Sequence, residues 1–113
     1  MHVTRIGEAK PYETRGHFDM VGLRLQGEEA SASGFASLGL SHFLPGGGAE
    51  SSASAIEKIY IVLTGAVTVV TDDGETVLGP LDSCWLASGE RRSIINRSTL
   101  PASMLVILPV RDR

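Results

Sequence analysis

Glycine and proline set the terms for this chain. Thirteen glycines and five prolines cut its 113 residues into short segments, and an apolar repeat of helical period is nearly absent. What recurs instead is alternation. Val21, Leu23 and Leu25 alternate with Gly22, Arg24 and Gln26, which is the period of a half-buried strand. Ala36, Leu38, Leu40, His42 and Leu44 alternate with Ser37, Gly39, Ser41 and Phe43 in the same way, and the run Pro45-Gly46-Gly47-Gly48 predicts the end of that strand. Ile59 to Leu63, Val67 to Val70, Thr76 to Leu78, Cys84 to Leu86, Ser93 to Ile95 and Met104 to Leu108 supply further short runs rich in β-branched residues. Asp72-Asp73-Gly74 reads as a tight hairpin turn. Eight to ten strands spaced by roughly 8 to 12 residues predict an all-β sandwich or barrel. Glu8 to Gly16 has no assignable pattern, and Gln26 to Gly34 reads as a surface loop.

Composition narrows the class of protein. The length predicts one domain over residues 1–113, with no linker or internal repeat. The formal net charge is −3 and no basic block occurs, so nucleic acid is not an expected partner. The longest apolar run, Ile59 to Leu63, falls far short of the roughly 20 residues of a membrane span. The first residues, Met1-His2-Val3-Thr4-Arg5, lack the pattern of a secretory signal, and the expected compartment is the cytoplasm. A single cysteine, Cys84, excludes an internal disulfide and a cysteine-based zinc cluster.

Two stretches resemble the paired motifs of small single-domain bacterial cupins. The first family motif is a glycine-rich turn, His-x-His, three or four residues, a carboxylate, six residues and Gly. Pro45-Gly46-Gly47 and Tyr60 to Gly65 match its ends, giving a first motif at about 45–65. The second is Gly-x5-Pro-x-Gly-x2-His-x3-Asn. Here Leu81-Asp82 stands for Gly-Asp, Ala87-Ser88-Gly89 for Pro-x-Gly and Asn96 for the closing Asn, giving a second motif at about 81–96. The resemblance implies a cupin-type double-stranded β-helix, that is, a jelly-roll barrel. It also implies pairing of two copies as a homodimer.

The departures from the motif matter more than the matches. Counting back from Gly65 puts Lys58 at the carboxylate position and Ser54 and Ser52 at His-x-His, while counting on from Gly89 puts Arg92 at the last histidine. Hydroxyls are weak ligands, an ammonium has no lone pair, and a guanidinium stays protonated. The expectation is therefore no metal and no other cofactor. Two cations in the barrel mouth could instead bind a small anionic, carboxylate-type metabolite, with Arg92 as a bidentate fork and Lys58 as point charge, general acid or nucleophile. Ser52 and Ser54 could add hydrogen bonds to such a ligand, or could be nothing more than the remains of lost histidines.

Other residues divide between chemistry and packing. A one-residue slip of register would bring Glu57 inside and turn Lys58 out. His42 shares the Leu38-Leu40-Leu44 face; it is a hydrogen-bonded core residue or, if that face lines the pocket, a general base beside Lys58 and Arg92. His17 could cap the barrel mouth. Cys84 reads as a small core residue, and Tyr60 and Trp85 as packing residues with polar tips at the rim or an interface. Two functions remain open from the sequence: a metal-independent isomerase, epimerase or lyase, and a non-catalytic small-molecule binding or accessory protein. A metal-dependent dioxygenase or decarboxylase would need a non-standard site, because the usual ligands are missing.

Overall fold

A computed structural model describes residues 1–110 of the protein. After a short 3-10 turn at Ile6–Glu8, nine strands follow: β1 (Lys10–Tyr12), β2 (His17–Gln26), β3 (Ala36–Ala53), β4 (Lys58–Thr64), β5 (Val67–Thr71), β6 (Gly74–Leu78), β7 (Ser83–Leu86), β8 (Arg91–Ile95) and β9 (Ala102–Pro109). Every pairing is antiparallel. The strand order is β6-β5-β8-β3-β9-β4-β7, with β2 joining β3 and β1 joining β2. The result is the all-β jelly-roll barrel that the alternation and the motif resemblance imply.

β3 holds the barrel together. Its first half, from Ala36 to Phe43, pairs with β9. Its second half, from Gly48 to Ala53, pairs with β8. The glycine run does not end the strand, as the sequence predicts, but carries it from pairing with β9 to pairing with β8. The reason is steric. A β-carbon on Gly47 would strike the backbone carbonyl of Asp19, and one on Gly48 would strike that of Ile94. Only glycine permits the neighbouring strands to approach this closely.

The alternation was expected to face its apolar set inward, and here the structure reverses it. Register pairs align Val21, Leu23, Leu38, Leu40, His42, Ile59, Ile61, Trp85, Leu105 and Ile107 on one face of β2, β3, β9, β4 and β7. That face is the outside of the barrel, where Leu40 alone of this set is buried, at 7% exposure. The interior takes the other set, including Phe43, Tyr60, Val62, Val67, Ile94 and Met104. The sheet is apolar on both sides, so alternation separates the faces without saying which one is buried.

One end of the barrel is filled and the other is open. Asn96, 0% exposed, seals the filled end: its amide donates to the carbonyls of Phe43 (3.2 Å) and Leu100 (2.8 Å), and its Oδ1 accepts from the backbone and hydroxyl of Ser98. The closing Asn of the second motif is thus a structural pin for the turn into β9.

Candidate functional site

The open end holds a cavity of about 330 Å³, near the lower limit for a small-molecule site. Its walls come from β2, β3, β4, β8 and β9 and from the segment 12–15 that joins β1 to β2. Side-chain alternation along β4 sends Lys58 and Tyr60 into it, and β8 contributes Arg92 and Ile94. Glu57 points the other way, where it accepts a hydrogen bond from the Trp85 indole at 3.0 Å. The register slip that would have brought Glu57 inside does not occur.

Arg92 is the fixed point of the site. It is only 7% exposed, yet protein groups hold it on two sides. Its Nε donates to the Tyr60 hydroxyl at 2.8 Å, and its Nη1 donates to the Glu50 carbonyl at 3.1 Å and to Ser52 Oγ at 3.2 Å. These bonds use Nε and Nη1; among the described residues none uses Nη2. A guanidinium anchored in this way is preorganised to offer that remaining edge to a ligand. Ser52, directly across the β3–β8 ladder from Arg92, therefore acts as its support. Ser54 is turned to the local chain, with its Oγ accepting from the Ile56 amide at 3.1 Å. Neither serine belongs to the cavity wall.

The charge around the cavity is predominantly positive. Lys58, Arg92, Arg24 and Arg15 line it, and Glu13 is the one carboxylate in its wall among the described residues. Arg24 stacks on the Tyr12 ring, 3.9 Å from the ring centre, and pairs with Glu29 at 3.2 Å. Burial is the larger influence on the Tyr60 hydroxyl and raises its pKa, while the neighbouring Arg92 charge pulls the other way. His17 also lines the cavity. Its pKa lies below the usual histidine value, first because it is partly buried and then because Arg92 and Lys58 repel its proton; the bond to the Arg15 carbonyl opposes both.

His42 does not join this group. It sits on the outer face, where Nδ1 lies 2.8 Å from the Ser103 hydroxyl. The histidine in the cavity wall is His17, the first residue of β2, at the barrel mouth where the sequence reading puts it. Tyr60, expected to pack with its tip at a rim, is buried and lines the cavity. Its neighbour two residues back offered a clue, since Lys58 and Tyr60 must share a face of β4. Cys84 packs beside the core, and burial raises its thiol pKa.

The donor set at the family's metal position does not suit a divalent cation. By the motif count, two hydroxyls, an ammonium and a guanidinium stand at the four ligand positions, and Nε and Nη1 of that guanidinium are already hydrogen-bonded. Among the described residues, no three His, Cys, Asp or Glu side chains converge as a ligand group.

Comparison with known proteins agrees with this architecture. Residues 39–108 match the family described as Cupin domain. The chain is 44% identical over 106 residues, 94% of its length and 91% of the other's, to Beta-D-galactosidase Rv1717 of Mycobacterium tuberculosis. Among solved structures it superposes on the polyketide cyclase RemF of Streptomyces resistomycificus with a TM-score of 0.87 at 18% identity, covering 98% of this chain and 80% of that one. A cupin sugar phosphate isomerase of Silicibacter pomeroyi gives 0.79 at 22% identity, covering 96% and 74%. At such identities the two structures speak for the fold alone. With the ends of both motifs matched, a nearly closed jelly roll around them and the family match spanning more than half of its length, the chain belongs to the cupin family.

Proposed function

We propose that the barrel cavity binds one sugar-sized anionic ligand, a sugar acid or sugar phosphate, and rearranges it by proton transfer without a metal. The observation that carries this reading is the anchored Arg92 beside Lys58 in a small cavity where Glu13 is the single acidic side chain among the described residues. A carboxylate or phosphate could take the open edge of Arg92, with Lys58 as a second point charge. The relative named as a β-D-galactosidase supports a carbohydrate as the ligand class.

Charge favours proton transfer over glycoside cleavage. Most glycosidases place two carboxylates about 5 to 10 Å apart around a cationic, oxocarbenium-like transition state. Among the described residues this cavity offers one carboxylate and several cations, which would oppose such a state. Removing a proton from a carbon beside a carbonyl builds negative charge instead, and fixed cations stabilise it. Isomerase, epimerase and lyase chemistry all begin with that step.

The proposal includes a homodimer. The outer face of β2, β3, β9, β4 and β7 leaves Val21, Ile59 and Trp85 exposed beside Leu23, Leu38, Ile61, Leu105 and Ile107. A stable interface removes about 800 Å² from each partner, and five adjacent apolar strands offer a self-complementary surface for it.

Titration calorimetry with D-galacturonate, D-galactose 1-phosphate and D-galactose tests the ligand class. The acidic sugars should bind at least about tenfold tighter than galactose, a difference that follows from one charge-assisted pair. Arg92→Met should abolish the preference. Equal binding of galactose, or an acidic-sugar preference that survives Arg92→Met, would refute the reading.

A further inference from the structure

Two groups in the cavity wall have the direction of their protons fixed by what they already bond. Tyr60 Oη accepts from Arg92 Nε at 2.8 Å. An arginine never accepts, so the one phenolic proton must point elsewhere, and among the described residues no protein acceptor takes it. Tyr60 lines the cavity, and the cavity is where that proton can find a partner. His17 is fixed in the opposite sense. Its Nδ1 lies 3.2 Å from the Arg15 carbonyl, which can only accept; Nδ1 therefore carries the hydrogen and Nε2 keeps the lone pair in the neutral ring. Partial burial and the charges of Arg92 and Lys58 favour that neutral form.

We infer that Tyr60 is the proton donor and His17 the proton acceptor of the cavity, acting on a hydroxy-carbonyl sugar whose acidic group is held by Arg92 and Lys58. This rests on the anionic-sugar reading above and extends it to the acid and base. His17 Nε2 takes the proton from the carbon beside the carbonyl. The electron pair of the broken C–H bond forms the C=C bond of an enediol, and the carbonyl oxygen takes the Tyr60 proton. The tyrosinate left behind faces the Arg92 Nε–H, which stabilises it. Return of the His17 proton to the neighbouring carbon, with an enediol O–H proton passing back to Tyr60, restores both residues and moves one hydrogen between adjacent carbons. No oxidant or metal enters the balance. Opposed proton roles in one cavity are the arrangement that acid–base catalysis requires.

Hydrogen–deuterium exchange into the ligand tests the pair directly. The protein is incubated in D2O with D-galacturonate and with D-galactose 6-phosphate, and loss of the proton beside the carbonyl is followed by proton NMR; affinity is measured by calorimetry on the same samples. The wild-type protein should catalyse exchange into a sugar that it binds. Tyr60→Phe and His17→Gln should each lower the rate at least about a hundredfold; His17→Gln should change affinity less than threefold and retain the melting temperature, while Tyr60→Phe, which also takes an acceptor from Arg92, should still bind the acidic sugar. His17→Gln changes a partly exposed side chain, so it tests the pair even if Tyr60→Phe perturbs the interior. Binding without exchange, or exchange that survives both substitutions, overturns the acid–base assignment and leaves the ligand reading standing. Failure of the wild-type protein to bind either acidic sugar overturns the ligand reading, and the inference with it.

Discussion

Arg92 and His17 occupy one cavity wall, and each shapes what the other can do. A buried guanidinium needs acceptors for its hydrogens, and Tyr60, Glu50 and Ser52 provide them. The same charge, with burial and Lys58, disfavours protonation of His17. The sign of the resulting pH dependence follows. In the unfolded chain His17 titrates near about 6.5, and its folded value is lower, so between the two the unfolded state binds more protons. Stability is then full above about 6.5 and declines as pH falls towards the folded value. Urea midpoints measured from pH 7.5 to 5.5 should show this decline, and His17→Gln should reduce its slope. An identical slope in the variant would place the titration elsewhere.

Leu81 carries a different residue-scale cost. It stands where the second motif has glycine, and its φ of 68° lies in the left-handed region. The conformation is held because its amide donates to the Val62 carbonyl at 2.7 Å while Val62 donates back to Asp82 at 3.0 Å. The side chain is 77% exposed, so little packing would be lost without it. Leu81→Gly should therefore stabilise the protein by up to about 1 kcal/mol, the relief at positive φ exceeding the extra freedom of an unfolded glycine. Thermal unfolding would register this as a rise of a few degrees; a lowered midpoint would mean that Leu81 makes contacts worth more than the strain.

At the scale of elements, β3 decides whether β8 and β9 can share one partner strand. Gly46 and Gly48 make a controlled comparison within its bend. Gly46 has a φ of 82° with open space where a β-carbon would go, whereas Gly48 is pressed against the β8 backbone at Ile94. Gly46→Ala should cost about 1 kcal/mol for conformation alone. Gly48→Ala should cost about 3 kcal/mol or more, since two backbones must separate. Equal losses in chemical denaturation would contradict the steric account of the bend.

Element type was legible in the sequence because turn chemistry and β-branched runs are local signals. Asp72-Asp73-Gly74 does close the β5–β6 hairpin, with positive φ at Gly74, and the runs from Ile59 to Leu108 correspond to β4 through β9. What faces the cavity was legible only where the motif spacing fixed it, at Lys58 and Arg92. Elsewhere the cue failed for a physical reason. Ser41 lines the cavity and Gly39 leaves room for Tyr12, whose hydroxyl a β-carbon there would strike, while Leu38, Leu40 and His42 take the opposite face. β1, with proline at its centre, and the turn after it bring Tyr12 and Glu13 to the mouth through pairing with β2, which no local pattern announces.

The whole molecule presents two surfaces with opposite characters: a cationic opening and an apolar outer sheet. No helix among the described residues is long and apolar enough to cross a membrane, and the proposed second copy would cover the apolar sheet. Sedimentation velocity should give a dimer, and Ile59→Glu, placing a charge in the middle of the face, should yield a monomer that keeps its binding of acidic sugar. A wild-type monomer at micromolar concentration would remove the dimer from the proposal.

The most direct test of the cavity is a crystal structure of the protein soaked with D-galacturonate. Its carboxylate should lie within about 3 Å of the Arg92 guanidinium, facing Lys58, with the sugar ring between Tyr60 and His17. An empty cavity at saturating ligand, a sugar bound elsewhere, or a metal ion in place of the carboxylate would contradict a barrel whose own cations bind the anion.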